Sequence, residues 1–461
     1  MFIDDIIYVG ILLGSIAFGD IFRKIKNPNT KQWVSTTVGF IIAFIVSGWH
    51  IVHPICITFI NALIISQLSH KIRHTVAFVF SFFYLLVIFR SADWFGLPIS
   101  PGHTNLILMM MTLKYAGLGF EIKTAIEELK ENPDVDCYKA MKNIGMIDVV
   151  HYGFSYMGIL TGPYYRYRTY WDCINRNFAD YIDCWEITFS KLKIISINAV
   201  IFFVSNYCFP YTYALTDDFM ERSYWYRVWY VYPTFVTFRT RLYVGMMFSE
   251  CVCQMAGLGA YPISSQPRSG LGPKDYKVAT QIVLNPEKIK EEKMDFVTVH
   301  NINIRGVETA YLVRDAMKQW NITVQYWMAT YVYKTFPHKV LRVYLTFIIS
   351  AAWHGHYFGY YVCIFSVPFY LPIDDLYVKF YNQSKEGSFA KKAWWFFLWF
   401  CRFSCMAYLG FGFQLLSFEN NYRYYWKAVY MIGHIVAIIV YIVGLGIKPF
   451  LLVNGDSKKR L

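Results

Sequence analysis

Residues 314–361 read RDAMKQWNITVQYWMATYVYKTFPHKVLRVYLTFIISAAWHGHYFGYY, a stretch that is mostly apolar and aromatic. Two polar residues, Asn321 and His354, interrupt its apolar runs. A polar side chain at membrane depth is costly and usually has a partner or a function. The stretch therefore predicts membrane helices that are arranged around these two side chains.

Pro337 lies between the two polar residues, 16 positions after Asn321 and 17 before His354. In one continuous helix they would lie about 50 Å apart, which is too far for joint action. Proline ends or kinks a helix, and the residue before it avoids the helical conformation. We therefore predict that the chain reverses at 336–338 and that both side chains lie at the same depth.

The composition of the whole chain predicts a membrane protein. Of its 461 residues, 56% are hydrophobic, 20% are aromatic and only 16% are charged, whereas soluble domains average about 25% charged residues. We predict an all-α, multi-pass transmembrane bundle of about ten to twelve spanning or embedded helices. The apolar runs lie near residues 5–21, 33–48, 50–69, 75–90, 104–119, 146–163, 187–214, 224–258, 307–333, 338–372, 393–417 and 425–453.

The net charge of +13 does not indicate nucleic-acid binding, because the basic residues form short clusters between apolar runs rather than one patch. Membrane proteins mark their cytosolic flanks in this way. The clusters are Arg23-Lys24-Lys26, Lys71-Arg73, Lys391-Lys392 and Lys458-Lys459-Arg460.

We interpret residues 1–461 as one membrane domain with an uncleaved N-terminal anchor. Residues 259–306 are rich in Gly, Pro and charge and are too long for a passive linker, so they predict a cytosolic-side loop over the mouth of a chamber. Residues 454–461 predict a basic cytosolic tail. Its two lysines resemble a dilysine retrieval signal of the endoplasmic reticulum, although a plain basic flank would look the same.

Several apolar runs carry polar groups that predict either internal pairs or a polar chamber. Within residues 314–333, Arg314, Lys318, Asn321 and Gln325 recur at helical spacing, which predicts one polar stripe on a continuous helix. We expect the stripe to line the chamber, with Gln325 and the aromatic side chains near the two polar residues in contact with substrate. Those aromatic residues are Trp320, Trp327 and Trp353.

Asn321 and His354 each allow a structural and a catalytic interpretation. Asn321 could make an interhelical hydrogen bond, and His354 could be a satisfied core group. Alternatively, a neutral His354 could accept a proton near physiological pH. A metal site at His354 and His356 lacks a third ligand at useful spacing, so we predict no metal.

Residues 320–327 (WNITVQYW) and 350–355 (SAAWHG) resemble the paired signature of the membrane-bound O-acyltransferases. In that family an Asn and a downstream His in a Trp-His-Gly context form the active site. Residues 161–170 (TGPYYRYRTY) and 257–262 (GLGAYP) resemble the lysophosphatidylinositol acyltransferase branch. The resemblance covers nearly the whole chain.

The resemblance implies acyl transfer from acyl-CoA, a co-substrate rather than a cofactor, to the hydroxyl of a lysophospholipid. His354 would be the general base and Asn321 its polar partner, with no cofactor. Lysophosphatidylinositol is the expected acceptor, a polyunsaturated acyl chain of the arachidonoyl type the expected donor group, and Arg166 and Arg168 the expected head-group contacts. The alternatives are another lysophospholipid or lipid alcohol as acceptor, interface arginines at 166 and 168, or a membrane transporter.

Overall fold

The computed structural model of this chain describes residues 2–96 and 100–452. These residues form α-helices joined by short 3₁₀ and π-helical turns, and the strands among them have only two residues each. The predicted all-α, multi-pass membrane fold is confirmed. The predicted basic tail, 454–461, lies outside the described residues.

The helices of the first half of the chain alternate between long apolar segments and short connecting pieces. They are α1 (Phe2–Arg23), α2 (Pro28–Ser47), α3 (Val52–Gln67), α4 (Arg73–Phe83), α5 (Ser91–Trp94), α6 (Gly102–Glu131), α7 (Asp136–Lys142), α8 (Met146–Gly153), α9 (Tyr167–Asn175), α10 (Cys184–Cys208), α11 (Asp217–Glu221), α12 (Tyr224–Trp229) and α13 (Val231–Met255).

The second half begins with short helices. Its helices are α14 (Tyr276–Val283), α15 (Lys288–Glu291), α16 (Ile304–Thr309), α17 (Val313–Lys318), α18 (Ile322–Met328), α19 (Leu341–His354), α20 (Phe358–Ile364), α21 (Val367–Gln383), α22 (Phe389–Leu415), α23 (Phe418–Asn421) and α24 (Ile432–Leu452). The long helices among them are α21, α22 and α24. Three π-helical turns extend α4, α18 and α23, over Tyr84–Phe89, Ala329–Tyr333 and Tyr422–Ala428.

Six helical segments of the described residues are long and apolar enough to cross a membrane. Large apolar side chains on them point outward; Phe44 of α2 is 53% exposed and Ile442 of α24 is 60% exposed. Such exposure suits contact with lipid tails. The segments are Asp5–Arg23, Pro28–Gln67, Cys184–Leu215, Phe358–Gln383, Phe389–Leu415 and Ile432–Leu451.

The loop predicted at 259–306 is an ordered segment with two small antiparallel sheets. Strand β1 (Tyr261–Pro262) pairs with β4 (Met294–Asp295). Strand β2 (Pro267–Arg268) pairs with β3 (Gly272–Pro273). The side of the membrane on which this loop lies stays a prediction.

The chain divides into two compact units, each built from segments that are distant in sequence. Unit 1 comprises residues 1–196, 244–302 and 321–337, and unit 2 comprises residues 197–243, 303–320 and 338–461. In unit 1, Trp327 is fully buried, and its indole N–H donates to the Leu113 carbonyl of α6 at 2.9 Å. The interpretation of the chain as one domain stays a prediction.

Unit 2 has an aromatic core along α21 and α22, closed by the turn that follows α23. Arg402 is 1% exposed in this unit. Its guanidinium donates to the carbonyls of Ala310 and Glu308 at 2.9 and 2.8 Å. Because a buried charge is stable only with partners, this residue fixes the segment between α16 and α17.

The continuous helix predicted over 307–333 is wrong, because the chain forms α16, α17 and α18 with breaks between them. At the first break, the Asp374 carboxylate accepts the backbone N–H of Val313 at 2.7 Å. The second break falls at Asn321, whose backbone is left-handed. Arg314 and Lys318 therefore lie on a different helix from Gln325, and the predicted stripe is not one helix face.

The chain is interrupted at Pro337 as predicted, since helical structure ends at Tyr333 and resumes at Leu341. The next predicted run, 338–372, is also broken rather than continuous. Helix α19 ends at His354, and α20 and α21 follow. This break leaves His354 in the last turn of a helix.

A close helix contact in unit 1 gives a test of this packing. A Cβ atom on Gly39 of α2 would lie 1.8 Å from the carbonyl oxygen of Phe154. We expect Gly39→Ala to lower the free energy of unfolding by about 1–3 kcal/mol, because backbone atoms must move apart. Thermal unfolding of the purified protein in detergent measures this change.

Gly10→Ala is the matched control, since Gly10 also lies in an apolar helix but has nothing within 4 Å of the position that a Cβ atom would occupy. We expect no loss of stability from it. Equal unfolding temperatures for the two variants would contradict the close packing of α2.

Candidate functional site

Asn321 lies directly before α18 in a left-handed backbone conformation, with φ 51° and ψ 50°. Asn adopts this conformation more readily than most residues. The N–H of Ile322 donates to the Asn301 carbonyl at 2.8 Å, and the N–H of Thr323 donates to Asn301 Oδ1 at 3.1 Å. In a continuous helix, both N–H groups would bond within the helix. Asn301 therefore provides the two acceptors that a preceding helical turn would provide, and it fixes the chain at Asn321.

Asn301 is itself held by a buried carboxylate. Glu250 Oε1 accepts the backbone N–H groups of Asn301 and Ile302 at 2.6 and 3.0 Å. Its other oxygen pairs with Lys191 and lies 3.3 Å from His300 Nδ1. Because four groups surround one buried carboxylate, the start of α18 has a rigid base.

Thr323 connects α18 to the segment 161–170. Its hydroxyl donates to Asn301 Oδ1 at 2.7 Å and accepts the backbone N–H of Tyr164 at 3.0 Å. The Tyr164 hydroxyl in turn donates to Glu121 Oε1 at 3.0 Å. Two of the sequence motifs thus meet through a single threonine.

Arg166 and Arg168 have different environments in unit 1. Arg166 is half-buried, and its guanidinium carbon lies 5.7 Å from the centre of the Tyr326 ring. Arg168 is buried and donates to Tyr138 Oη at 3.1 Å and to the carbonyls of Leu271 and Pro273 at 3.3 and 3.0 Å. These contacts favour a structural role for Arg168 and leave Arg166 as the better head-group candidate.

His354 lies in the last turn of α19, within unit 2, and is half-buried. The ring centres of Trp353, Phe413 and Tyr360 lie 4.8, 5.2 and 5.9 Å from the imidazole centre. A Cβ atom on Gly355 would lie 2.4 Å from Tyr360 Cε2, so only glycine allows this tyrosine to pack there. The Trp-His-Gly sequence therefore builds an aromatic enclosure around the imidazole.

The remaining predicted contacts are spread over both units. Trp353 is 3% exposed, and Trp327 is wholly buried in the core of unit 1. Trp320 belongs to unit 2, where its ring centre lies 5.4 Å from that of Tyr243. Gln325 is half-buried on α18, one turn after Asn321.

Asn321 belongs to unit 1 and His354 to unit 2. The predicted meeting of the two side chains therefore stays a prediction. The same holds for the substrate contacts assigned to the residues around them.

Sequence reasoning missed the group that positions Asn321. Asn301 lies in a loop with no helical periodicity, so no pattern linked it to α18. Glu250 was visible only as one of several polar groups in apolar runs. The weak signal was the sequence around Asn301 (HNIN, residues 300–303), which lies shortly before the 314–361 stretch.

Comparison with known proteins places the chain in a family. The membrane-bound O-acyltransferase family matches residues 55–418. A membrane-bound acylglycerophosphatidylinositol O-acyltransferase of Drosophila melanogaster is 39% identical over 94% of this chain and 91% of its own length. Proteins with the same descriptive name are 32% identical in Xenopus laevis, over 96% of this chain and 93% of their own length, and 30% identical in Homo sapiens, over 98% and 95%. This chain belongs to the membrane-bound O-acyltransferase family.

Proposed function

We propose that this protein transfers a fatty acyl group from acyl-CoA to the free hydroxyl of lysophosphatidylinositol. The observation that carries the proposal is the likeness, over more than nine-tenths of the chain, to proteins named for acylating this lipid class. The half-buried Asn321 and His354 are the residues that we assign to the chemistry. The endoplasmic-reticulum membrane and a polyunsaturated acyl chain are parts of the same proposal.

In this mechanism the lysolipid hydroxyl attacks the thioester carbonyl while His354 takes its proton. General-base catalysis of this kind contributes typically 10²–10⁴-fold. The tetrahedral intermediate collapses, its C–S bond breaks, and the CoA thiolate leaves and takes up the proton. The rings of Trp353, Phe413 and Tyr360 around the imidazole support this assignment, since they limit its access to water.

Asn321 supplies an amide N–H to the developing oxyanion or holds the hydroxyl in line for attack. Asn301 holds the N–H groups of the two residues that follow Asn321, which supports a role that needs a defined side-chain direction. Direct transfer needs no acyl-enzyme. Arg166 is the residue that we assign to the anionic head group, because its guanidinium is half-buried beside an aromatic ring.

The substrate assignment is tested with purified protein in detergent or nanodiscs. A panel of lysophospholipids is combined with a panel of acyl-CoA donors, and release of free CoA is measured. We expect release only when both substrates are present, and fastest release with lysophosphatidylinositol. Preference for another head group would contradict lysophosphatidylinositol as the acceptor but not the acyl transfer itself. Release of CoA without an acceptor would contradict acyl transfer.

His354→Ala should abolish acyl transfer, with a loss of at least about 10²-fold in kcat, because the substitution removes the proposed general base. His434→Ala is the matched control, since His434 is also a half-buried histidine of unit 2 and pairs with Tyr408 Oη at 3.1 Å. Both variants are compared for unfolding temperature. Near-normal turnover in a folded His354→Ala protein would refute the mechanism.

Asn321→Gly should lower kcat by about 10²-fold, as expected for loss of one oxyanion donor. Glycine removes the amide but adopts the left-handed backbone that Asn321 has, so the start of α18 keeps its shape. Asn321→Ala adds backbone strain to the same loss. If the glycine variant were active and only the alanine variant inactive, Asn321 would be needed only for its left-handed backbone conformation and not for its side-chain amide.

Asn301→Ala should lower kcat more than it raises KM, because it frees the N–H of Thr323 and loosens the Asn321 side chain. We expect a loss of about 10-fold, within the range that small misplacements of reacting groups produce. Asn285→Ala is the control, since Asn285 is a half-buried asparagine of the same loop, and its Oδ1 accepts the N–H of Lys288 at the start of α15. Equal kinetics in the two variants would argue against the positioning role.

A further inference from the structure

Unit 1 contains a cavity of about 140 Å³ that includes none of the residues predicted for catalysis or substrate binding. We call it the basic pocket. Its walls come from the end of α1 and the start of α2, from α9 and the turn after it, and from residues 256–261. The segments 161–170 and 257–262, which the proposed reaction leaves largely unused, each contribute to this lining.

Four basic side chains line the basic pocket against two carboxylates, so its wall is positive. Lys26 Nζ lies 3.1 Å from Asp180, and Arg176 Nε lies 3.1 Å from Asp172. The four basic residues are Arg23, Lys26, Lys31 and Arg176.

Polar groups of the basic pocket have unused hydrogen-bonding capacity. Among the described residues, no partner is found for Arg23 Nε or Arg176 Nη1, although both atoms are buried. The Arg176 side chain is only 8% exposed. A buried donor without an acceptor is costly, so these atoms favour a ligand or water that brings acceptors into the pocket.

The wall that carries Arg176 is rigid. The Asp172 carboxylate accepts the hydroxyl groups of Tyr261 and Tyr276 at 2.6 and 2.8 Å in addition to its pairing with Arg176. Burial, followed by the nearby Asp172 charge, raises the pKa of both tyrosines well above the usual value, so both phenols stay protonated and donate. The guanidinium is therefore held in place before any ligand arrives.

We expect the basic pocket to lie at a membrane surface. Arg23 ends one segment that is able to cross the membrane, and Pro28 begins the next. Only four residues connect them, so the connection cannot leave the boundary between lipid and water. Anions reach this boundary both from lipid head groups and from solution.

We propose that the basic pocket binds a phosphate group. Two guanidinium and two ammonium groups from separate segments suit a ligand with several acceptor oxygens better than a single carboxylate. One water needs roughly 10–15 Å³ of such cavity volume, so the pocket accommodates a phosphate with several waters. The phosphate comes from a membrane lipid head group or from a soluble phosphorylated molecule, and the site is distinct from the acyl-transfer residues.

Binding is measured with the purified full chain and without acyl donor or lysolipid, so failure of the proposed reaction would not affect the result. Inorganic phosphate and inorganic pyrophosphate are the soluble probes, measured by calorimetry. Nanodiscs with phosphatidylinositol 4-phosphate are the lipid probe, and phosphatidylcholine nanodiscs are the reference. A rise in unfolding temperature with the probe reports binding in the nanodisc experiment.

Lys26→Gln and Arg176→Gln should each weaken phosphate binding by about tenfold or more, the effect of losing one charged hydrogen bond. Lys24→Gln is the control, because Lys24 lies in the same connection, 74% exposed and paired with Asp20, outside the pocket lining. If Arg176→Gln did not fold, the exposed Lys26 would still provide the test.

Each outcome decides the proposal. Binding of the soluble probes that Lys26→Gln weakens and Lys24→Gln preserves supports a soluble phosphate ligand. Stabilisation by the phosphorylated lipid alone, with the same dependence on Lys26, supports a lipid head group. Absence of binding by all probes, or equal binding by the two lysine variants, would overturn the proposal.

Discussion

The hydrogen bond from the N–H of Ile322 to the carbonyl of Asn301 is the constraint on which the site in unit 1 depends. In a continuous helix this N–H would donate to a carbonyl within the helix, whereas here it donates to a loop residue. The helix can then begin at this point, with Asn321 in a left-handed conformation before it. Because Glu250 holds Asn301 in turn, one buried carboxylate determines where α18 starts.

The same constraint explains why the continuous helix that the sequence predicted over 307–333 is wrong. The spacing of Arg314, Lys318, Asn321 and Gln325 fits one helix face, and local periodicity contains no information against it. The competing interaction comes from Asn301, about 20 residues upstream in an irregular loop. A contact that local pattern cannot reveal thus overrode helical periodicity at the residue that we assign to catalysis.

The environment of His354 follows more directly from its sequence. Gly355 follows His354 directly, and its lack of a side chain leaves room for Tyr360. Neighbouring Trp353 and distant Phe413 complete the enclosure. The sequence gives no reason to distinguish the two arginines of the segment 161–170, but the structure places them in different environments. Arg168 is engaged with two loop carbonyls, while Arg166 lies beside an aromatic ring.

The sequence by itself determined the all-α membrane class and the interruption of the chain at Pro337, and it singled out the two polar residues that we assign to the chemistry. These features follow from composition, from the missing N–H of proline and from the cost of polar groups in lipid. Only the tertiary structure decided where α18 begins, how Asn301 holds Asn321 and where the basic pocket lies. Each of these depends on contacts between segments far apart in the chain, and local sequence does not encode such contacts.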